Sequence, residues 1–193
     1  MAFLDEEELK RLGFMYLGKN VKISDKASIY NAKNIHLDDN CRIDDFCILS
    51  AGVSGIYIGK YVHIAAYSSL IGAEKITLAD FSGISSRVSI YSSSDDYSGE
   101  FMPHPTIPDE FRNVDNRPVY LDKHTIVGAG AIVLPGAKLN IGVAIGALSL
   151  VLGKEYPEFM IYAGTPAKFI KSRQTKLLNH EQKLRLQTGD SDA

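Results

Sequence analysis

The stretch LDKHTIVGAGAIVLPGAKLNIGVAIGALSLV, residues 121–151, carries an apolar residue at every sixth position. These residues are Leu121, Val127, Val133, Leu139, Ile145 and Val151, and the first five are followed, four positions later, by Thr125, Ala131, Ala137, Val143 and Ser149. A step of six fits neither the helical period of about 3.6 nor the strand period of about two. It fits a chain that makes a short strand, turns a corner and repeats this on each side of a prism. The stretch therefore predicts a hexapeptide-type parallel β-helix, with the repeated apolar side chains stacked inside.

The same step of six recurs through the first half of the chain. It joins the apolar residues within four groups: Ile23 and Ile29; Leu37, Ile43 and Leu49; Ile58, Ile64 and Leu70; and Leu78, Ile84 and Ile90. Longer steps separate the groups, as expected where a solvent-facing corner carries a small insertion. The sequence thus predicts an all-β fold, a parallel β-helix of about six coils with three hexads in each.

The composition is that of an ordinary soluble protein, with 193 residues, 45% apolar and 23% charged, and a formal net charge of −2. This charge gives no reason to expect nucleic acid or an anionic membrane as a partner. Because there is no signal peptide and no apolar run near about 18 residues, we expect a cytoplasmic protein that does not insert into membranes. Cys41 and Cys47 lie four positions after hexad residues, which favours small core-facing residues over a disulfide or a metal pair.

We expect a single domain over residues 1–193. A short helix over residues 5–12 and its lead-in occupy 1–20, the β-helix spans 21–155 with an arm inserted at 91–120, and an extension with a terminal helix spans 156–193. The terminal helix, over residues 174–187, would cover the open end of the coils, whose edge would otherwise be exposed. From Thr188 onward we expect disorder.

The arm between Tyr91 and Tyr120 is the one long interruption of the repeat. An insertion of this length without a structural pattern is usually functional or disordered. Its aromatic residues and prolines favour an ordered arm that packs on a surface, and we interpret it as part of an active site. A neighbouring prism could supply that surface, which would create clefts between subunits.

Several segments resemble the hexapeptide-repeat acyltransferases. The strongest are residues 128–136 (GAGAIVLPG), residues 145–149 (IGALS) and residues 163–168 (AGTPAK). Residues 43–50, 63–67, 84–87 and 94–99 are similar to the small acetyltransferases that modify sugars for surface polysaccharides, including nucleotide-linked amino sugars. The resemblance implies a left-handed helix of parallel strands, a homotrimer, and acetyl-CoA as the acyl donor.

The resemblance also implies a groove between two prisms that holds coenzyme A against the C-terminal coils. Small residues would let its pantetheine approach the backbone, and Ala129, Ala147 and Ser149 stand at matching positions, although the coil itself also requires small residues there. Lys168, Lys171 and Arg173 correspond to phosphate-binding cations, unless this basic run is only a solvated face. Lys154 follows the last regular hexad, where the family often has a Thr-Lys pair and this chain has Leu-Gly-Lys.

The general base of the reaction is the main departure from the family. O-acetyltransferases of the family carry a histidine at the start of the arm, and Asp95, followed by Asp96, occupies that position here. Carboxylates suit an amine acceptor, because they can bind an ammonium ion and help to remove its proton. Alternatively, His63 or His104 could be the base, and the two aspartates could form only a capped turn.

The predicted function is therefore acetyl transfer from acetyl-CoA to a sugar, with the amino group of a dTDP- or UDP-linked amino sugar for O-antigen or other surface polysaccharide as the preferred acceptor. Tyr91, Tyr97, His104 and Arg112 are candidate substrate contacts in the arm. One alternative is O-acetylation of a sugar hydroxyl by a histidine base. Another is a non-catalytic scaffold or a metal enzyme resembling the β-helical carbonic anhydrases. No metal is expected, because the five histidines have no repeated spacing.

Overall fold

The computed structural model describes residues 2–189, and in it the chain winds about seven times around a three-sided prism. Each side of the prism is a sheet whose neighbouring strands come from successive coils and run parallel, apart from one antiparallel strand at the C-terminal end of sheet II. This is the predicted left-handed parallel β-helix. Because the chain visits the three sheets in turn, we call them sheets I, II and III, and we name each corner by the sheets it joins.

Most strands are two or three residues long, since a corner follows each of them. Sheet I contains β1 Tyr16–Leu17, β4 Ile35–Leu37, β7 Ile56–Ile58, β10 Ile76–Leu78, β15 Val119–Leu121, β18 Lys138–Leu139 and β21 Glu155–Tyr156. Sheet II contains β2 Lys22–Ile23, β5 Arg42–Ile43, β8 His63–Ile64, β11 Gly83–Ile84, β16 Ile126–Val127, β19 Ala144–Ile145, β22 Met160–Ala163 and β23 Lys168–Ser172. Sheet III contains β3 Ser28–Tyr30, β6 Ile48–Ala51, β9 Ser69–Gly72, β12 Ser89–Tyr91, β17 Ile132–Val133 and β20 Leu150–Val151.

The repeated apolar residues form the core of the prism. From Leu37 to Val151, all of the hexad residues named above are buried, and Ile23 is buried with them. The small residues that follow them are buried at the corners, including Cys41 and Cys47, which are free thiols. Burial of this continuous apolar column supplies the main driving force for the fold.

The repeat extends one coil further than the prediction. Tyr156 and Tyr162 are again six positions apart, both are buried, and their rings pack edge to face with centroids 5.0 Å apart. The prediction that the chain leaves the coil at Tyr156 was therefore wrong, and there are about seven coils in place of six. It failed because the inward positions of the last coil are aromatic, where the earlier coils use aliphatic residues.

The two helices lie outside the prism. Helix α1, Glu6–Leu12, begins with a capping box between Asp5 and Glu8 and ends at Gly13 in the left-handed conformation. Helix α2, Leu177–Thr188, has Thr188 as its last residue, so the predicted disorder was wrong there; residues 190–193 lie outside the described part of the chain.

Contrary to the prediction, helix α2 does not cover the open end of the coils. It packs against the I–II corner, where Tyr61, Phe81 and His124 stack with ring centroids 5.0 and 5.2 Å apart. The Nε2 atom of His124 lies 2.5 Å from the carboxylate of Glu181 in α2, and the guanidinium of Arg185 lies over the Phe81 ring. The last strand of sheet II is instead β23, which pairs antiparallel with β22.

The arm leaves the prism at the III–I corner, after β12, and returns at β15 without disturbing the coils. Its base is a short antiparallel pair, β13 Ser93–Ser94 and β14 Asp115–Asn116, and it contains a single 3₁₀ turn, Asp109–Phe111. The guanidinium of Arg117 packs against Gly136 and Gly153 on the same corner and is bound by Asp115. The arm is thus anchored to the coils at its base, as expected for an ordered segment.

Candidate functional site

A hollow of about 320 Å³ lies on sheet II, next to the II–III corner. Its floor is Gly83, which has no side chain and lies in register with His63 of the preceding coil. Ile126 borders the hollow on the following coil, and Ser85 and Ser86 border it at the corner. The hollow exists because the outward position of β11 carries a hydrogen where the neighbouring strands carry side chains.

His63 is half exposed and is held by a buried carboxylate. Its Nε2 atom lies 2.8 Å from Oδ2 of Asp44, and Oδ1 of the same aspartate accepts a hydrogen bond of 2.6 Å from Nε of Arg42. Burial alone would raise the pKa of Asp44, but the hydrogen bonds from Arg42 and His63 outweigh it and lower the pKa. Asp44 is therefore ionised at neutral pH, and a carboxylate beside Nε2 favours the tautomer in which that atom carries the hydrogen.

The two aspartates at the start of the arm have different environments. Asp96 accepts hydrogen bonds from the Ser98 hydroxyl and from the amides of Gly99 and Phe101, and these bonds, led by that of Ser98, lower its pKa. This is the geometry of a capped turn. Asp95 is about one-third exposed and its carboxylate lies 3.9 Å from Nδ1 of His104. Of the two carboxylates, Asp96 is the one whose oxygens are held by its own turn.

The remaining arm candidates are spread along the arm. Tyr91 ends β12, and Tyr97 is almost fully exposed. Arg112 is mostly buried and forms an ion pair with Asp109 in the 3₁₀ turn. These contacts make Arg112 part of the internal structure of the arm and leave Tyr97 accessible.

The small residues predicted to approach coenzyme A lie on the II–III corner. Ala129 and Ala147 occupy equivalent corners of successive coils, and both are exposed. Ser149 is buried, and its hydroxyl donates to the carbonyl of Gly146 and accepts from the amide of Gly164. Ser149 therefore completes a corner of the coil, whereas the two alanines leave the backbone accessible from outside.

The predicted cations lie in three places. Lys168 and Lys171 are exposed on β23, which begins next to the II–III corner. Lys154 lies at the III–I corner with its ammonium 5.2 Å from the centre of the Tyr156 ring. Arg173 donates to the carbonyls of His124 and Gly142, and burial lowers its pKa. Arg173 thus joins the end of β23 to the I–II corner.

The candidate residues therefore lie in two places on one chain. The hollow, Ser85 and the exposed alanines follow the II–III corner, whereas the arm with Asp95 and His104 leaves the III–I corner. These corners are at opposite edges of sheet III. A second copy of the chain could bring its arm to the II–III corner, so that one ligand would contact both sets.

The sequence interpretation did not identify Arg42, Asp44, Gly83 or Ser85 as parts of a site. They become neighbours of His63 only because successive coils stack in register. The sequence signal that could have found them is the outward-facing position of each sheet II strand. Comparing this position from coil to coil aligns Arg42, His63 and Gly83.

The described residues include no group of histidine, cysteine, aspartate and glutamate side chains that could hold a metal ion. Within the same residues, neither helix has the length and apolar character needed to span a membrane.

No protein-family model matches the chain. A dTDP-4-amino-4,6-dideoxy-D-glucose acyltransferase from Escherichia coli is 52% identical over 181 residues, which cover 94% of this chain and 94% of that protein. WbbJ of Escherichia coli K12, a candidate O-acetyl transferase of lipopolysaccharide biosynthesis, is 31% identical over 84% of this chain and 78% of its own length.

The crystal structure of AntD, an N-acyltransferase from Bacillus cereus, in complex with dTDP and 3-hydroxybutyryl-CoA has a TM-score of 0.92 and 45% identity, and covers 98% of each chain. Variants of AntD in which a serine or an aspartate is replaced have also been crystallised with coenzyme A, two of them with dTDP-4-amino-4,6-dideoxyglucose.

Proposed function

This chain belongs to the hexapeptide-repeat acyltransferases, and on that premise we propose that it transfers an acyl group from a coenzyme A thioester to the amino group of a dTDP-linked 4-amino-4,6-dideoxy sugar. The observation that carries the proposal is 52% identity, over 94% of both chains, to an enzyme named for acyl transfer to that amino sugar. AntD adds both ligand classes, since it binds dTDP together with an acyl-CoA. On this basis the chain is an enzyme and not a scaffold.

Asp95 is the residue that we assign to the acceptor amine. A sugar amine reaches the enzyme mainly as an ammonium ion, and a carboxylate can bind that ion while it loses a proton to solvent. Asp95 is accessible for this role, whereas the Asp96 carboxylate is used by its turn. The serine and the aspartate that were replaced in AntD are ten positions apart, which is the spacing of Ser85 and Asp95. Ser86 and Asp96 share that spacing, but Asp96 is committed to the turn.

The donor would lie along the II–III corner. Ala129 and Ala147 allow pantetheine to approach the backbone, and Lys168 and Lys171 supply positive charge for its phosphates. We propose acetyl as the transferred group. The 3-hydroxybutyryl thioester bound to AntD makes a longer acyl group the alternative.

We propose a homotrimer with sites shared between subunits. The positions of Ser85 and Asp95 at different corners of the prism support it, because a substrate could touch both if the arm of one copy reached sheet II of its neighbour. The exposed aromatic residues of the arm, such as Tyr97 and Phe111, favour such a contact.

The test is release of coenzyme A from acetyl-CoA and 3-hydroxybutyryl-CoA in the presence of dTDP-4-amino-4,6-dideoxyglucose, with dTDP-glucose as the matched control that lacks the amine. Turnover with the amino sugar alone supports the proposal. Turnover with the hydroxyl sugar overturns it in favour of O-acylation, the activity for which WbbJ is named. Comparison of the two thioesters decides the acyl group.

Shared sites can be tested by mixing subunits. Asp95→Asn and Ser85→Ala proteins are each expected to be weakly active, and refolding them together would create some interfaces with both native residues. If the two variants form trimers at random, about one quarter of the interfaces would contain both native residues. Activity should then recover to about one quarter of the wild-type value. No recovery would mean that each site is formed within one chain.

We further propose that the enzyme acts in the cytoplasm, where coenzyme A thioesters and nucleotide-linked sugars are found, and that its product enters surface polysaccharide such as O-antigen. The likeness to WbbJ, named for lipopolysaccharide biosynthesis, supports the second point. Loss of the N-acylated sugar from surface polysaccharide in a deletion strain is the test.

A further inference from the structure

We propose that His63, oriented by Asp44 and Arg42, carries the proton from the acceptor nitrogen to the sulfur of the departing coenzyme A. The inference rests on the proposed function, because it assigns a role within the same site. Asp95 is assigned a different role, because it would bind the ammonium ion and lies on a different corner from the hollow.

The imidazole of His63 is held in a defined orientation. The Nε2 atom of His63 faces the Asp44 carboxylate at 2.8 Å, and the other oxygen of that carboxylate is bound by Arg42. The aspartate is buried and ionised, so the Nε2 hydrogen points at it. The lone pair of neutral His63 is then on Nδ1, and an imidazolium formed there would be stabilised by Asp44.

Open space lies beside the imidazole of His63. Next to His63 the following strand carries only Gly83, and the hollow that results is large enough for a sugar ring. Ser85 lines the same hollow and has the spacing from Asp95 that matches the replaced residues of AntD. An exposed imidazole with an oriented tautomer therefore borders the place where we expect the acceptor.

The proton transfer balances without any further reactant. The neutral amine attacks the thioester carbon, and a carbon–nitrogen bond forms. His63 takes one hydrogen from that nitrogen through Nδ1 and becomes an imidazolium ion. The tetrahedral adduct then collapses, the carbon–sulfur bond breaks, and the imidazolium returns the proton to the thiolate. The amide, coenzyme A and neutral His63 are the products.

A purely structural role is the competing interpretation, because Arg42, Asp44 and His63 also join neighbouring strands. The chain offers a matched control in His36, which lies outward on sheet I with Nε2 3.9 Å from Asp38 and stacks on Tyr16. A structural role predicts similar effects of replacing either histidine. The proposed role predicts loss of turnover only for His63.

The experiment compares wild-type protein, His63→Gln and His36→Gln in the dTDP-amino-sugar assay, with melting temperatures measured for each. We expect His63→Gln to lower kcat by roughly 10²-fold or more while both KM values stay within about threefold, and His36→Gln to leave kcat unchanged. In His63→Ala, added imidazole should restore part of the lost kcat. Unchanged kcat in His63→Gln, or no rescue by imidazole, overturns the inference.

A second measurement does not depend on activity. Long-range ¹H–¹⁵N spectra of wild-type protein should show neutral His63 with its hydrogen on Nε2, and Asp44→Asn should shift it toward the other tautomer. A wild-type hydrogen on Nδ1 overturns the inference. The two proposals fail separately: wild-type protein that is inactive on every amino sugar overturns the proposed function and this inference together, whereas an active wild type with an equally active His63→Gln overturns this inference alone.

Discussion

Gly83 lies directly beside His63 in the adjacent strand of sheet II, and a β-carbon added to it would touch only the carbonyl oxygen of His63, at 3.6 Å. Gly83→Ala is therefore expected to fold normally but to narrow the hollow. We expect the KM for the amino sugar to rise by roughly three- to tenfold, with the melting temperature unchanged. Steady-state kinetics and thermal unfolding check this, and an unchanged KM would place the acceptor elsewhere.

Gly153 offers the opposite case on the corner that carries the arm. A β-carbon there would lie 2.1 Å from the carbonyl oxygen of Pro135 and 3.0 Å from Nη1 of Arg117. The backbone of one coil would have to move, so we expect Gly153→Ala to lower the free energy of unfolding by about 1–3 kcal/mol. Thermal unfolding of Gly153→Ala, compared with that of Gly83→Ala, measures this difference. Equal melting temperatures of the two variants would contradict the tight packing at Gly153.

Asp95→Asn and Asp96→Asn are expected to separate catalysis from arm structure. Asp95→Asn removes the charge assigned to the ammonium ion, and we expect kcat/KM for the amino sugar to fall by about 10²-fold. Asp96→Asn keeps an oxygen that can accept the hydrogen bonds of its turn. Its kcat/KM for the amino sugar should therefore fall by much less. If Asp96→Asn loses as much activity as Asp95→Asn, the assignment of the acceptor carboxylate is wrong.

Glu181 should make the stability of the α2 contact depend on pH. Burial raises its pKa, but the hydrogen bonds from His124 and Arg185 outweigh this and hold the pKa below its ordinary value of 4.5. Asp80 also faces Arg185, at 3.8 Å. Because the pKa is depressed on folding, the ionised carboxylate stabilises the protein above about pH 4.5, and this contribution is lost as the pH falls further.

We therefore expect Glu181→Gln to lower the free energy of unfolding by about 1–3 kcal/mol at pH 7, and the difference from wild type to shrink below about pH 4.5. Thermal unfolding between pH 3 and pH 8 measures it, with Glu158→Gln, at an exposed position, as control. A difference that is the same at every pH would show that the charge of Glu181 is not responsible.

The two cysteines should be unreactive in the folded protein. Both are buried, and burial raises the pKa of Cys41 to about 12 and also raises that of Cys47. The thiolate is the reactive form, so we expect an aromatic disulfide reagent to label both thiols only after unfolding. Rapid labelling of the native protein would indicate that the corners open.

The sequence by itself determined the coil and its core. A strand of two or three residues and a corner of fixed length recur locally, so the step of six shows which side chains point inward, from Ile23 to Val151. It failed at Tyr156 and Tyr162 only because aromatic residues replaced aliphatic ones in the last coil. The arm was also visible in the sequence, as a departure from the repeat. The small residues of the II–III corner were visible as part of the repeat.

Only the tertiary structure decided which outward-facing residues are neighbours. His63, Asp44 and Gly83 belong to different coils, and the lengths of the intervening corners set their register, which the step of six does not specify. The same holds for Glu181 and His124, which are joined when α2 folds back along the I–II corner. A periodic sequence fixes what is inside a solenoid, because each coil buries its own residues, whereas its surface sites depend on how separate coils and the terminal helix align.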